Sequence, residues 1–209
     1  MNNAILFQVC FSNSPYIELA EVSVAQHLKY IRKHSMDFDL IISDTEPVVS
    51  GFTKVVIADC WLKQYEYVFC LDADAMIMDT SVDLRTAFYG SGAAVLMARH
   101  PSMYNTGVIF LHWVKGMDAV MQQWLEGHPA NIAEGKRVWD EQVIINRMME
   151  EPRFAGLIAG MDDKWNSSFR TNESPHPVIS AWHGACDDNG IRDIGLVAQW
   201  MRAALQSAK

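Results

Sequence analysis

Cysteine is scarce in this chain, long apolar runs are missing, and positive charge is in the minority. The four cysteines, Cys10, Cys60, Cys70 and Cys186, include no Cys-x-x-Cys pair. A disulfide framework or a structural zinc site is therefore not the organising element, and reduced core thiols are expected. No apolar stretch approaches the roughly 18 residues of a membrane span. The short run Ala4-Ile5-Leu6-Phe7-Gln8-Val9-Cys10-Phe11 has no basic flank and reads as a first strand, not a signal peptide. The expected compartment is the cytoplasm. Lysine and arginine number 17 against 25 acidic residues, a formal charge of -8, which argues against nucleic acid or anionic lipid as a partner. Any anionic ligand would have to be held by a few placed cations, by helix N-termini or by a bound metal. Repeats, low-complexity tracts and linker-like stretches are also missing, so residues 1–209 are expected to form a single domain.

What is present is an alternation of strand and helix patterns. After the first strand, Ser14-Pro15 can open a helix whose apolar stripe is Ile17, Ala20, Val24, Leu28 and Ile31, with Lys29, Arg32 and Lys33 in its last turn. Phe38 to Ile42 reads as a strand, Thr53 to Leu62 as a helix, and Tyr65 to Leu71 as a buried strand. Further strands are expected at Ala93 to Ala98, Val108 to His112 and Val178 to Trp182. Helices are expected at Gly116 to Leu125, Trp139 to Glu150 and Ile191 to Leu205, and a surface loop at Met161 to Pro177. The fold class that follows is α/β, with a mostly parallel central sheet and helices on both faces.

The segment Tyr65-Glu66-Tyr67-Val68-Phe69-Cys70-Leu71-Asp72-Ala73-Asp74 carries the sharpest chemical signal. Carboxylates at i and i+2 fall on one side of an extended backbone and can address one ligand. At the end of so apolar a strand their charge calls for compensation, and an oxygen-ligated divalent cation supplies it. Three later segments add polar groups at element ends. Tyr104-Asn105-Thr106-Gly107 places an amide and a glycine before an apolar strand. Trp139-Asp140-Glu141-Gln142 opens a helix with acids and an amide, and Trp182-His183-Gly184 closes a strand with an imidazole.

Taken in order, these motifs resemble the nucleotide-sugar-dependent glycosyltransferases of the GT-A fold. The likeness is greatest to their retaining branches, the glycogenin and lipopolysaccharide galactosyltransferase group and the galactosyl/xylosyltransferases of cell-wall synthesis. It runs from the first strand to about His183. The resemblance implies that Asp72-Ala73-Asp74 is the Asp-x-Asp of the donor site, holding Mn2+ or Mg2+ against the donor's diphosphate, with His183 completing the metal shell. It implies that Val9, Phe11, Ser12 and Asn13, after the first strand, cradle the base, and that Lys54 is directed at the donor. Asn105 and Gly107 match the Asn-x-Gly turn of the sugar pocket. Glu141, Gln142 and Asn146 match the Asp-Gln-x-x-x-Asn helix start. Here Asp140 precedes Glu141, so two carboxylates compete for the sugar-facing place. The usual histidine-glycine-lysine-proline-tryptophan ending is absent, because His183-Gly184 runs into Ala185-Cys186-Asp187-Asp188; a cationic phosphate contact goes with it.

The implied activity is transfer of a sugar, with retention, from a nucleoside diphosphate sugar (a UDP-sugar first) to a carbohydrate or glycoconjugate acceptor. An acidic protein cannot stabilise the departing diphosphate by its overall field, so the cation must do so, and the oxygen and nitrogen ligand set suits Mn2+ or Mg2+. Asp140, Glu141 and Gln142 would orient the sugar or shield an oxocarbenium-like centre. Two other readings use the same residues. A phosphatase of haloacid dehalogenase type would take Asp72 as nucleophile, Asp74 as acid/base and Asp162-Asp163 as its later acidic pair. A non-catalytic nucleotide-sugar-binding protein would keep the metal site alone.

Overall fold

In the computed structural model, residues 3–12, 14–43, 50–99, 103–133, 140–168, 173–183 and 193–207 are described, with backbone alone at 43, 50, 129–133 and 140. The first half follows the expected alternation: β1 (Ala4–Phe11), α1 (Tyr16–His34), β2 (Asp37–Ser43), α2 (Ser50–Leu62) and β3 (Tyr67–Leu71). The start of α1 shows why the sequence turns helical there. Ser14 Oγ accepts the Tyr16 N–H at 3.2 Å, Glu18 lies in the first turn, and Arg32, Lys33 and His34 in the last complement the helix dipole. The remainder runs β4 (Ala75–Ile77), β5 (Val95–Arg99), β6 (Tyr104–His112), α3 (Met117–Ala133), α4 (Asp140–Met149), β7 (Ile158–Met161), β8 (Ser167–Ser168), β9 (Ile179–Ala181) and α5 (Ile194–Ser207).

The central sheet has the order β2-β1-β3-β6-β5-β7. β1 is parallel to β2 and β3, and β7 to β5, while β6 is antiparallel to both its neighbours. All the strands but β6 therefore point one way, which is the mostly parallel sheet expected. Both faces are covered, and side-chain alternation sorts the strands between them. Ile5, Phe7, Val68, Cys70, Ile109 and Leu111 pack with residues of α2, α3 and α4. Ala4, Leu6, Phe69, Leu71, Val108 and Phe110 pack on the opposite face with Tyr30 of α1 and with Trp165, Ile179 and Ala181. A third cluster joins α1 to α5 through Leu19, Ala20, Val197, Ala198 and Met201, and includes Ala73 and Trp182.

Three expectations need correction. β4 and β7 escape the sequence reading, being three and four residues long. β4 joins β9 and β8 in a second, three-stranded sheet. Met161 to Pro177 is not a surface loop throughout: among its described residues Trp165, Asn166, Ser167 and Ser168 are buried, and β8 and a short turn at Asp163–Trp165 carry them inward. β6 begins at Tyr104, so Asn105 and Gly107 lie inside the strand and not before it. Of the cysteines, Cys10 and Cys70 are buried free thiols, but Cys60 is exposed; Cys186 lies outside the described residues.

α1 supports β4 through a buried imidazole. His27 is fully buried and its Nε2 accepts the Ile77 N–H at 3.4 Å. Burial holds its pKa down to about 3. The unfolded imidazole titrates near 6.5, so below that pH the unfolded chain binds a proton that the folded one refuses, and stability falls by about 1.4 kcal/mol per pH unit. The urea midpoint is expected to drop between pH 7 and pH 5, and His27→Gln, neutral throughout, to flatten that drop. Equal slopes for the two proteins would rule His27 out as the source.

Candidate functional site

The register of β6 against β3 builds the site. Leu71 pairs with Val108, so the chain leaves β3 beside Gly107, whose carbonyl accepts the Asp72 N–H at 2.7 Å. The Asp72 carbonyl then accepts the Ala75 N–H at 2.9 Å, closing a turn through Ala73 and Asp74 into β4. Gln8, buried in β1, donates to the same carbonyl at 3.1 Å. The two aspartates are thus brought together by a turn, not by the extended alternation expected from their spacing. Ala73 is buried beneath them. Asp74 is also buried, and its carbonyl accepts the Trp182 N–H at 2.9 Å, which sets His183 beside it. Asp72, Asp74 and His183 each offer one ligand atom within 4.8 Å of the others, which could hold one metal ion. Asp162 stays apart: it caps its own turn, its carboxylate accepting the Lys164 N–H at 3.1 Å.

The hydrogen bonds assign the His183 tautomer. The Gly107 N–H can only donate, and it reaches Asn105 Oδ1 at 2.7 Å. Asn166 Nδ2 donates to that same oxygen at 3.2 Å, which leaves Asn166 Oδ1 facing His183 Nε2 at 3.0 Å. Nε2 therefore carries the proton. Nδ1, an acceptor in the neutral ring, is buried 3.6 Å from Asp74 Oδ1 and has no hydrogen-bond partner among the described residues. Two buried acceptors at that distance suit a cation between them. Gly107 makes room for the ring, since a Cβ there would stand 2.6 Å from His183 Cε1 and 2.8 Å from Nδ1. Asn105 and Asn166 orient the imidazole.

On the other side of β6 lies a buried charge cluster. Lys54 Nζ donates to Asp72 Oδ1 at 2.8 Å and to the Thr106 carbonyl at 2.7 Å, and stands 3.6 Å from Glu141 Oε1. Burial alone would lower the Lys54 pKa; the Asp72 and Glu141 carboxylates more than reverse this and raise it. Glu141 is 2% exposed. Its Oε1 accepts the Thr106 hydroxyl at 2.9 Å, and its carboxylate lies where a Cβ on Gly51 would be. Gln142, half-buried one residue on, accepts the Thr106 N–H at 3.1 Å. Asn146 clamps helix to strand, accepting the Tyr104 N–H at 2.8 Å and donating to the Tyr104 carbonyl at 2.9 Å.

The structure thus gathers Lys54, Asp72, Asp74, Asn105, Gly107, Glu141, Gln142 and His183 around the ends of β3 and β6. Val9 and Phe11 are in β1, not after it, and with Ser12 they are half-buried. Asn13 lies outside the described residues, as does the side chain of Asp140, whose backbone opens α4. Burial, then the Asp72 and Asp74 carboxylates, push the neighbouring Cys10 thiol up to about 11, so it is protonated at neutral pH. Thr106, which links Lys54, Glu141 and Gln142, escaped the sequence reading because a lone threonine in a strand carries no signal.

No protein-family model and no curated protein matches the sequence. Solved structures do match. A glycosyltransferase involved in the glycosylation of the major capsid of PBCV-1 superposes with a TM-score of 0.73 at 13% identity, over 96% of this chain and 99% of that one. The glycosyltransferase GlyE of Streptococcus pneumoniae TIGR4 gives 0.57 at 15% identity, over 100% of this chain and 64% of its own. Mouse xyloside xylosyltransferase 1 gives 0.53 at 16% identity, over 88% and 98%. The fold of this chain is the fold of these glycosyltransferases.

Proposed function

We propose that the chain is a single-domain, metal-dependent glycosyltransferase that takes a sugar from a nucleoside diphosphate donor, a UDP-sugar first, and passes it with retention to a carbohydrate or glycoconjugate acceptor. The observation that carries this reading is the convergence of Asp72, Asp74 and His183 at the strand ends of a glycosyltransferase fold. Ligands in an open α/β sheet bind at such ends. The two carboxylates and the neutral imidazole suit Mn2+ or Mg2+, and that ion would neutralise the charge growing on the departing diphosphate.

The chain's own residues supply the rest. Val9 and Phe11 lie in β1 past Gln8, which pairs with Leu71, and with Ser12 and Asn13 they would receive the base. Lys54 fixes one Asp72 oxygen and leaves the carboxylate, its side chain 40% exposed, open on its other side. Gln142, in the first turn of α4, would serve the sugar, with Asp140, whose backbone opens that helix, as the acid beside it. Glu141 faces Lys54 and acts through it, as a positioning residue. Free thiols at Cys10, Cys60 and Cys70 suit the cytoplasm. Among the described residues no helix is long and apolar enough to cross a membrane.

Asp74→Asn is the direct test. It keeps the shape of the side chain and removes the negative charge that a cation needs. Calorimetry should show Mn2+-dependent UDP binding in the native chain and none in the variant, with unchanged circular dichroism. Undiminished metal-dependent binding by the variant would refute the assignment. Hydrolysis of a generic aryl phosphate with Mg2+, without any response to nucleotide sugars, would favour the phosphatase chemistry instead.

A further inference from the structure

The side-chain amide of Gln142 has only one orientation consistent with its neighbours. The Thr106 backbone N–H is a donor and nothing else, so the Gln142 atom 3.1 Å from it is the carbonyl Oε1. The Thr106 hydroxyl lies 3.3 Å from the same oxygen. With Oε1 occupied, Nε2 points the other way and meets Met103 Sδ at 2.8 Å. A thioether is a weak acceptor, so this N–H group rests on a partner that an oxygen would readily replace. The backbone around it is held: Asn146 Nδ2 donates to the Gln142 carbonyl at 2.8 Å and to the Tyr104 carbonyl, while its Oδ1 accepts the Tyr104 N–H.

We propose that Gln142 serves its ligand as a hydrogen-bond donor through Nε2, and that Met103 is the pocket residue holding this donor until a hydroxyl or ring oxygen of the donor sugar takes the place of the sulfur. The inference rests on the glycosyltransferase reading above and adds two things to it. Met103 becomes a residue of the sugar pocket, one that no sequence motif marks. Gln142 gains a defined role, that of hydrogen-bond donor. Oε1 stays committed to the Thr106 N–H, a buried backbone donor that is costly to leave unpaired. Sugar selection then turns on which oxygen can reach Nε2 without forcing the amide to rotate.

The test uses the full chain with Mg2+, UDP, and UDP-glucose, UDP-galactose and UDP-N-acetylglucosamine as probes. The Gln142 side-chain amide is followed by nitrogen-15 NMR and assigned by its loss in Gln142→Glu. Its signals are expected to move with at least one UDP-sugar and to stay still with UDP alone. In the free protein they should also move in Met103→Leu, which removes the sulfur at nearly constant volume. Gln142→Glu keeps an oxygen for Thr106 but has no N–H, so sugar turnover should fall by about 100-fold, as far as in Gln142→Leu. Affinity for UDP should be unchanged in both. Native turnover in Gln142→Glu, a sugar adduct on residue 142 by mass spectrometry, or signals indifferent to every bound UDP-sugar would each overturn the donor role. Signals unmoved by Met103→Leu would overturn the part given to Met103. If UDP itself fails to bind, the glycosyltransferase reading fails, and the Met103→Leu spectrum still decides the resting contact.

Discussion

Gly107→Ala is expected to cost the protein its metal affinity while leaving it folded. The added methyl group would stand 2.6 Å from His183 Cε1 and 2.8 Å from both His183 Nδ1 and Asn105 Oδ1. The backbone cannot retreat, because the Gly107 carbonyl holds the Asp72 N–H at 2.7 Å and Val108 pairs with Leu71. The imidazole is what can move, and a shift takes its Nδ1 out of the position it holds facing Asp74. Displacing one ligand together with its orienting partner lowers metal affinity by about 100-fold on the scale of outer-shell substitutions. The overpacking itself destabilises by about 1–3 kcal/mol. Calorimetric titration with Mn2+ measures the first effect and urea unfolding the second. Unaltered Mn2+ affinity in a folded Gly107→Ala protein would mean that His183 is not a ligand. Gly107 in this fold is defined by what lies against its Cα, and its role follows from that contact.

Lys54→Met is expected to act in the opposite sense on the two properties, lowering stability and strengthening metal binding. The Lys54 ammonium lies between Asp72 Oδ1 at 2.8 Å and Glu141 Oε1 at 3.6 Å, with Glu141 3% exposed at its side chain. Taking away the cation strands the Glu141 carboxylate in a buried place, a loss of about 3–5 kcal/mol for such broken pairs. Asp72, with a side chain 40% exposed, suffers far less. It is also released from a competing positive charge and gives itself more fully to a metal. Adding Glu141→Gln to Lys54→Met should restore much of the stability, since no charge is then left unpaired. A double-mutant cycle in urea reads the coupling directly. If the double variant is no more stable than Lys54→Met, the pair is not coupled, and Glu141 has some other counter-charge.

Comparing the two residues at the start of α4 shows how far the sequence could be read. Glu141 and Gln142 stand side by side in a motif that points both at a sugar. The helix turns their side chains apart: Glu141 goes under Gly51 and against Lys54, Gln142 towards Met103 and Thr106. The pairing with Lys54 depends on α2 and α4 lying together on one face of the sheet, which no local pattern encodes. Asp72 and Asp74 were legible as a pair because an apolar strand ends in two acids. Their meeting through a turn was not, since Ala75-Met76-Ile77 is too short to announce the strand that the turn feeds.

By itself the sequence determined the alternation of helix and strand through Leu71, the buried central strands, and a pair of acids at the end of one of them. These are properties of neighbouring residues: apolar period, turn chemistry and net charge act over a few positions of chain. Tertiary structure alone decided that β6 runs against β3, so that Gly107 and Thr106 stand beside Asp72. It also decided that β9 carries His183 to Asp74 through a second sheet. Strand register and direction are chosen by the packing of whole elements against one another. The polar contacts that make a site are set by that choice, among residues that share no stretch of chain.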